Sequence, residues 1–375
     1  MNQTSLERLL AFLEKEQLSA VLLSNINSLT WLTGYAPPIE TGPSPFEGGP
    51  ALAWCCDGEV VLLMSDMESG SARANDVEVL DYIGYTIEAP LAGYHNQAAG
   101  LTRLLDKSNS LHGRVGVEID TLPASLFPVV QKTLPNATLV PLEGKIEALR
   151  VLKSKVELEH IRSALKLCDL AQTEAERQVQ PGVTELEVWG AIKARLELEA
   201  GGRVPVLADL VGGKRTAEIG GLPGGYVLQK GDPLMADIVP RSGGYWGDNS
   251  GIHFAGEPSS ELKKVYSVVL EALRAGIQAV KPGLRACDLD NLLRSFIRDR
   301  SYPVYPHHSG HGIGTSYHEE PRIVPYNPLQ LQPGMVIALE PGIYLPGVGG
   351  VRLENVVLVT ESSFELLTHH LDNQL

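Results

Sequence analysis

The chain has 375 residues, of which 43% are apolar and 20% charged, with a formal net charge of −14. That length accommodates two ordinary domains or one large one, and the apolar fraction is that of a protein with a real core. An acidic surface without any dense Lys/Arg run excludes a nucleic-acid binder and repels anionic lipid. The four cysteines, Cys55, Cys56, Cys168 and Cys287, show no C-x-x-C spacing and are read as reduced thiols, not a disulfide framework. The first residues lack the uninterrupted apolar stretch of a signal peptide, and no apolar run reaches membrane-spanning length. A soluble cytoplasmic protein without a membrane partner is expected.

Leu6, Leu9, Leu10 and Leu13 recur at helical spacing, and Thr4 with Glu7 has capping-box spacing, which predicts a helix beginning there. Strand-like runs follow at 20–23, 60–64, 77–80, 115–119 and 138–140, with helical segments between several of them. This alternation predicts an α/β layer domain. Its carboxylates Asp66, Glu68, Glu118 and Asp120 form no constellation, and Glu118 falls inside a predicted strand; all four are read as solvent-facing. The front part therefore shapes a cleft or an interface and carries no chemistry. The boundary falls within 142–150, giving domains 1–145 and 146–375. Ser154 and Glu157 form a second capping box, opening a long amphipathic helix that runs towards Gln180 and stops at Pro181-Gly182.

The back part is written twice. Gln180-Pro181-Gly182-Val183 returns as Lys281-Pro282-Gly283-Leu284, 101 residues later (282 − 181). Each copy then reaches a strand that begins after a glycine, with a carboxylate six residues on: Gly231 to Asp237 and Gly334 to Glu340. A duplicated unit packs around a pseudo-twofold axis and brings equivalent strands together.

Asp237 lies in a strand–turn–strand pattern. A hairpin centred between Ser242 and Gly243 sets it opposite Asp248. Glu340 lies in a second such pattern, and a turn centred on Gly347 sets it opposite Glu354. Opposed like charges destabilise a strand pair, and burying an uncompensated carboxylate costs roughly several kcal/mol. A positive charge must sit between them, or one must hold a proton. Arg352 shares the strand face of Glu354 and neutralises part of the charge, but four carboxylates need more than one cation. The remaining ligand comes from His311 in Gly310-His311-Gly312, where the glycines let the backbone come close to a site. Four carboxylates with one imidazole suit two hard or borderline divalent ions: manganese, cobalt, iron or zinc. A dinuclear site of this kind makes a nucleophile from water at neutral pH and polarises a carbonyl.

These motifs, Gly310-His311-Gly312-Ile313-Gly314, Glu340-Pro341-Gly342-Ile343-Tyr344 and Gly350-Val351-Arg352-Leu353-Glu354, resemble those of the "pita-bread" metallopeptidases: proline dipeptidase, aminopeptidase P and methionine aminopeptidase. The front part, through Asn27-Ser28-Leu29-Thr30-Trp31-Leu32-Thr33-Gly34, is similar to the amino-terminal domain of the prolidase, aminopeptidase P and creatinase branch. The resemblance implies an α+β protein. Its pita-bread catalytic domain, a duplicated α/β unit, is preceded by an α/β creatinase-type domain. It implies Asp237, Asp248, His311, Glu340 and Glu354 as metal ligands, with Asp248 and Glu354 bridging. Glu340 is implied as general base and His318 as the group that contacts the scissile carbonyl or its oxyanion. Arg352 is implied to orient a bridging carboxylate or a substrate group, and His307 to stand in the substrate pocket. Two divalent ions, manganese first, a homodimer, and cleavage of Xaa-Pro bonds in dipeptides or at peptide amino termini complete the expectation.

Two positions depart from the family pattern. The histidine usually found seventeen residues before the first ligand aspartate is Gly220 here (237 − 17). The usual Asp-x-Thr-Arg becomes Asp248-Asn249-Ser250-Gly251. Both leave the ligands intact and keep a second reading open, hydrolysis of another small amide or C–N compound on the same fold. A third reading, a binding protein on a retired peptidase fold, sits poorly with five intact ligands and an acidic chain.

Overall fold

The computed structural model describes residues 2–39, 46 and 48–372. The chain forms two compact units, Met1–Arg150 and Val151–Leu375.

The first unit runs α1 (Gln3–Glu16), β1 (Leu18–Leu23), α2 (Ile26–Thr33), β2 (Leu52–Cys56), β3 (Glu59–Ser65), α3 (Asp66–Arg73), β4 (Glu78–Tyr82), α4 (Gly93–Asp106), β5 (Gly113–Val117), α5 (Phe127–Thr133), β6 (Ala137–Pro141) and α6 (Lys145–Arg150). Its strands form one sheet in the order β4-β3-β2-β1-β5-β6. The strand period of two splits β1 between two cores. Val21 and Leu23 pack with Leu9, Trp31 and Ile146 on one face, while Ala20 and Leu22 pack with Leu101 and Val130 on the other. A strand buried on both faces reads as a continuous apolar run, which is why β1 was visible in the sequence.

Two details of this unit differ from the sequence reading. The α1 cap is Asn2, whose side chain accepts from the Ser5 amide, not Thr4. Asparagine outranks threonine as a cap, and the extended backbone at Asn2 lets it do so. Glu118 lies just past β5 and is buried, where it accepts from the Ser24 amide (2.7 Å), the Asn25 amide (2.8 Å) and Ser28 Oγ (2.5 Å). It satisfies orphan donors at the start of α2 and so is a structural anchor, not a solvent-facing group. Glu68 accepts from Tyr35 Oη (3.0 Å) and Asp66 from the Gly84 amide (2.9 Å). Cys55, Cys56, Cys168 and Cys287 are free thiols, and burial pushes Cys55 up to about 12.

The second unit runs α7 (Lys155–Gln178), α8 (Glu185–Ala200), β7 (Val206–Gly212), β8 (Pro233–Ser242), β9 (Tyr245–Trp246), β10 (Asn249–Phe254), α9 (Ser260–Ala279), α10 (Ala286–Arg298), β11 (Gly310–Gly312), β12 (Glu319–Ile323), β13 (Val336–Leu339), β14 (Gly342–Leu345), β15 (Gly349–Arg352), β16 (Asn355–Val359) and β17 (Phe364–Leu366). The Ser154–Glu157 capping box is formed in both directions at the start of α7.

The duplication is written in backbone hydrogen bonds. The Gly182 amide donates to Leu228 O and that of Gly283 to Leu331 O; Leu228 and Leu331 return bonds to Val183 and Leu284. Gly231 donates to Ala255 O and Gly334 to Val359 O. Gly231 and Gly334 adopt φ of 87° and 92°, a conformation that favours glycine in both copies. Each copy is thus a helix pair (α7–α8, α9–α10) followed by antiparallel strands. These strands form the sheets β10-β8-β7 and β12-β11-β13-β16-β17. The Glu354 amide donates to Ser250 O (3.0 Å), stitching the two copies together at the level of their carboxylates.

Candidate metal centre

The second hairpin has the register that the spacing predicts. Gly342 pairs with Arg352, and Leu339 with Asn355, so Glu340 and Glu354 stand at opposed positions in the gap between the two ladders. The first hairpin is shifted. Asp237 pairs with Ser250, and Asn249 with Ile238, so Asp248 lies two positions from the predicted partner. The turn residues are Gly243 and Gly244, both at positive φ, and this Gly-Gly pair takes the turn in place of Ser242-Gly243. A shift of two residues keeps Asp248 on the face of Asp237, so the cluster survives.

Asp248, His311, Glu340 and Glu354 are each less than 8% exposed. Donor atoms of Asp248, His311 and Glu354 lie within 4.8 Å of one another. His311 Nδ1 is 3.0 Å from Gly312 O, which leaves Nε2 directed at the carboxylates, 3.6 Å from Asp248 and 3.7 Å from Glu340. Arg352 reaches Asp237 Oδ2 through Nε (2.9 Å) and Nη2 (2.6 Å). Its partner is therefore Asp237, and neither of the bridging carboxylates expected from the resemblance. The same guanidinium donates to Ile219 O (2.6 Å) and Tyr344 Oη (3.3 Å).

The electrostatics show what is missing. Burial raises Asp237 to about 6 despite Arg352, and it raises Asp248 and Glu354 well above the carboxylate range, each pushed further by the neighbouring acids. Asp248 Oδ1 and Glu354 Oε1 are buried without a hydrogen-bond partner. Buried carboxylates with unpartnered oxygens, gathered with one imidazole, fit divalent cations, which would satisfy the orphaned lone pairs and the charge together. Glu340 differs. Burial favours its neutral form, but a 2.8 Å contact from His308 Nε2 and the nearby His311 and His307 rings outweigh that and bring it down to about 2. His318 falls to about 3, through desolvation and the adjacent His311 and His308 rings, and is a neutral imidazole.

All eight residues singled out in the sequence, Asp237, Asp248, His307, His311, His318, Glu340, Arg352 and Glu354, line one cavity of about 270 Å³. The His318 ring is 4.2 Å from that of His311 and 5.1 Å from that of His308. His307 is held by Tyr344 Oη (2.8 Å) and by His308 O (2.8 Å). Among the other lining residues, His308 and Asp209 escaped the sequence reading. His308, between His307 and His311 in the chain, was given no role. Asp209, on β7, stands beside Asp237 in the sheet and contacts Arg352 Nη2 (3.2 Å). No motif marks Asp209; its register opposite Asp237 is the only signal.

The two departures are filled by neighbours. A Cβ on Gly220 would stand 2.1 Å from Asp209 Oδ2, and one on Gly251 would stand 2.5 Å from Gln172 Oε1.

Comparison with known proteins agrees with this architecture. Residues 159–361 match the model of metallopeptidase family M24, and residues 6–152 match the creatinase/prolidase N-terminal domain. An uncharacterized peptidase of Staphylococcus aureus (strain USA300) is 31% identical over 371 residues, covering 98% of this chain and 99% of its own. Among solved structures, an Xaa-Pro dipeptidase from Bacillus anthracis superposes with a TM-score of 0.82 at 26% identity, covering 97% of each chain. An X-Pro aminopeptidase from Thermotoga maritima MSB8 gives 0.82, 26% and the same coverage. The duplicated second unit is thus the pita-bread fold, and the chain belongs to metallopeptidase family M24, carrying a creatinase/prolidase N-terminal domain ahead of its catalytic domain.

Proposed function

We propose that this peptidase hydrolyses the Xaa-Pro bond of dipeptides or of peptide amino termini. Two divalent ions, manganese first, would be held in the cavity by Asp237, Asp248, His311, Glu340 and Glu354. The observation that carries this is the buried trio Asp248, His311 and Glu354, whose two carboxylates each keep an oxygen without a hydrogen-bond partner. Ions bound there would supply Lewis-acid polarisation of the scissile carbonyl and lower the pKa of a water molecule. The protein's own groups complete the site. Glu340, kept ionised by His308, accepts the proton of the attacking water. His318, a neutral imidazole on the cavity wall, donates to the oxygen that becomes negative. Arg352 fixes Asp237 in one orientation, and His307 with Tyr344 shapes the substrate pocket.

Hydrolysis of another small amide or C–N compound is the second reading, favoured specifically by Gly220 and Gly251 where peptidases of the family carry histidine and arginine. The test is a panel of Xaa-Pro and Xaa-nonPro dipeptides with one Xaa-Pro tripeptide, offered to protein loaded with manganese, cobalt or zinc. Metal-dependent release of the residue before proline, lost in Asp237→Asn, is the expected result. Failure to cleave any peptide by protein shown to hold its metals would transfer the assignment to the second reading. A cytoplasmic homodimer accompanies the proposal, and a sedimentation mass of one chain would contradict the dimer.

A further inference from the structure

The side chain at the mouth of the cavity that departs most from expectation is Asp209. Its carboxylate occupies the space into which any side chain at position 220 would grow. It is built in: Oδ1 accepts from the Gly221 amide (2.8 Å) and Oδ2 lies 3.2 Å from Arg352 Nη2. Arg352 is only 5% exposed, and its donors are directed at Asp237, Asp209, Ile219 O and Tyr344 Oη. That arginine is committed to the protein, leaving it no fork of donors to offer a substrate carboxylate. The Asp209 side chain, by contrast, is 42% exposed, while that of Asp237 is 13% exposed and that of Glu340 10%. Leu207, Ile219, Val239 and Tyr317, which bring no charge, line the same cavity beside the metal-centre residues. Ile219 itself adopts φ of 79°, an uncommon conformation for a β-branched residue, which places its carbonyl on Arg352.

We infer that Asp209 is a specificity-determining residue: its exposed carboxylate makes the pocket mouth select against substrates that carry a carboxylate beside the scissile bond and for those that carry a positive charge there. The inference rests on the peptidase reading above and narrows it, because a free dipeptide carries such a carboxylate and an amide-capped or longer peptide does not. The electrostatics follow from position. A negative charge in a partly dehydrated pocket, whose paired guanidinium on Arg352 is shared with Asp237 and beside a metal centre whose two divalent ions would be balanced by four carboxylates, repels a second anion and attracts a cation at short range.

The test uses manganese-loaded full-length protein and its Asp209→Asn variant, which keeps the shape of the side chain and its bond from Gly221. The probes are Ala-Pro and Ala-Pro-amide, with Lys-Pro-amide and Glu-Pro-amide. Preference is read as a kcat/KM ratio where the bond is cleaved and as a Kd ratio by calorimetry where it is not. Each ratio is taken on a single preparation, so partial folding or metal loading cancels. The wild-type protein should favour Ala-Pro-amide over Ala-Pro, and Lys-Pro-amide over Glu-Pro-amide, by about tenfold, the scale of one partly solvated charge. Both ratios should shrink to within about twofold in the variant. Equal ratios in the two proteins, or no charge preference in the wild type, overturn the inference. Binding with the expected ratios but no cleavage would sink the peptidase reading and leave the charge selection standing.

Discussion

Lys153 and Glu319 form a buried ion pair at 2.9 Å, with side chains 1% and 4% exposed. Glu319 follows His318 directly and also accepts from Thr315 Oγ1 (3.3 Å) and the Ser316 amide (3.1 Å), so it anchors the loop that presents His318 to the cavity. Replacing Lys153 by Met removes the cation and leaves the carboxylate dehydrated. Breaking a buried pair from one side costs about 3–5 kcal/mol, and the bonds that Glu319 keeps place this case near the lower end, about 3 kcal/mol. For a unit of this size, 1 kcal/mol shifts the midpoint by roughly 2–4 °C, so the transition should fall by about 6–12 °C. Thermal and urea unfolding of metal-loaded protein read the loss, and the same preparation assayed at permissive temperature should show reduced kcat through a displaced His318. Lys153→Met with Glu319→Leu removes both charges and should recover most of the stability but not the activity. A single variant as stable as the wild type, or a double variant no better than the single, would refute this account of the pair.

Arg352→Lys replaces a two-point hold on Asp237 by a point charge, and manganese affinity measured by titration should weaken by about tenfold or more while the fold persists. Removal of metal should invert the pH dependence of stability. Asp237 titrates at about 6 in the folded protein, above its unfolded value, so the folded state binds extra protons between about pH 4 and 6. Stability of chelator-treated protein should therefore fall as pH rises through that window. The raised Asp248 and Glu354 extend the effect upward. Loaded protein should lose stability as pH falls, because protons compete with the ions; parallel slopes for the two forms in melting curves would contradict the site. Gly220→His should displace Asp209, while Asp209→Ala with Gly220→His should be better tolerated than the single change, a non-additivity that a double-mutant cycle of melting temperatures reads directly.

Much of the candidate site could be read from spacing because its four carboxylates come from two local hairpins. Gly347 centres a symmetric turn, so counting outward placed Glu340 and Glu354 correctly. Counting failed by two residues at the first hairpin because two adjacent glycines competed for the turn, and the pair that accepts positive φ at both positions took it. The duplication was visible because each copy needs a glycine at the same backbone position. What stayed hidden depends on contacts between distant segments. Glu118 reads as a solvent-facing strand carboxylate until the segment leading into α2 brings the Ser24 and Asn25 amides onto it, some ninety residues away in sequence. Asp209 acquires its meaning only when β7 pairs with β8 and brings it beside Asp237 and Arg352. The strand β2 (Leu-Ala-Trp-Cys-Cys) is an apolar run like β1 but carries no β-branched residue, so its composition does not mark it as strand.

Four carboxylates, three of them buried, and His311 are proposed to hold two divalent ions. The most direct test of this proposal is the number of manganese ions bound per chain after loading and dialysis, measured by elemental analysis beside Asp248→Asn. Two ions per wild-type chain and the loss of at least one in the variant are expected. A wild-type chain that retains none, or a variant that retains both, would contradict it.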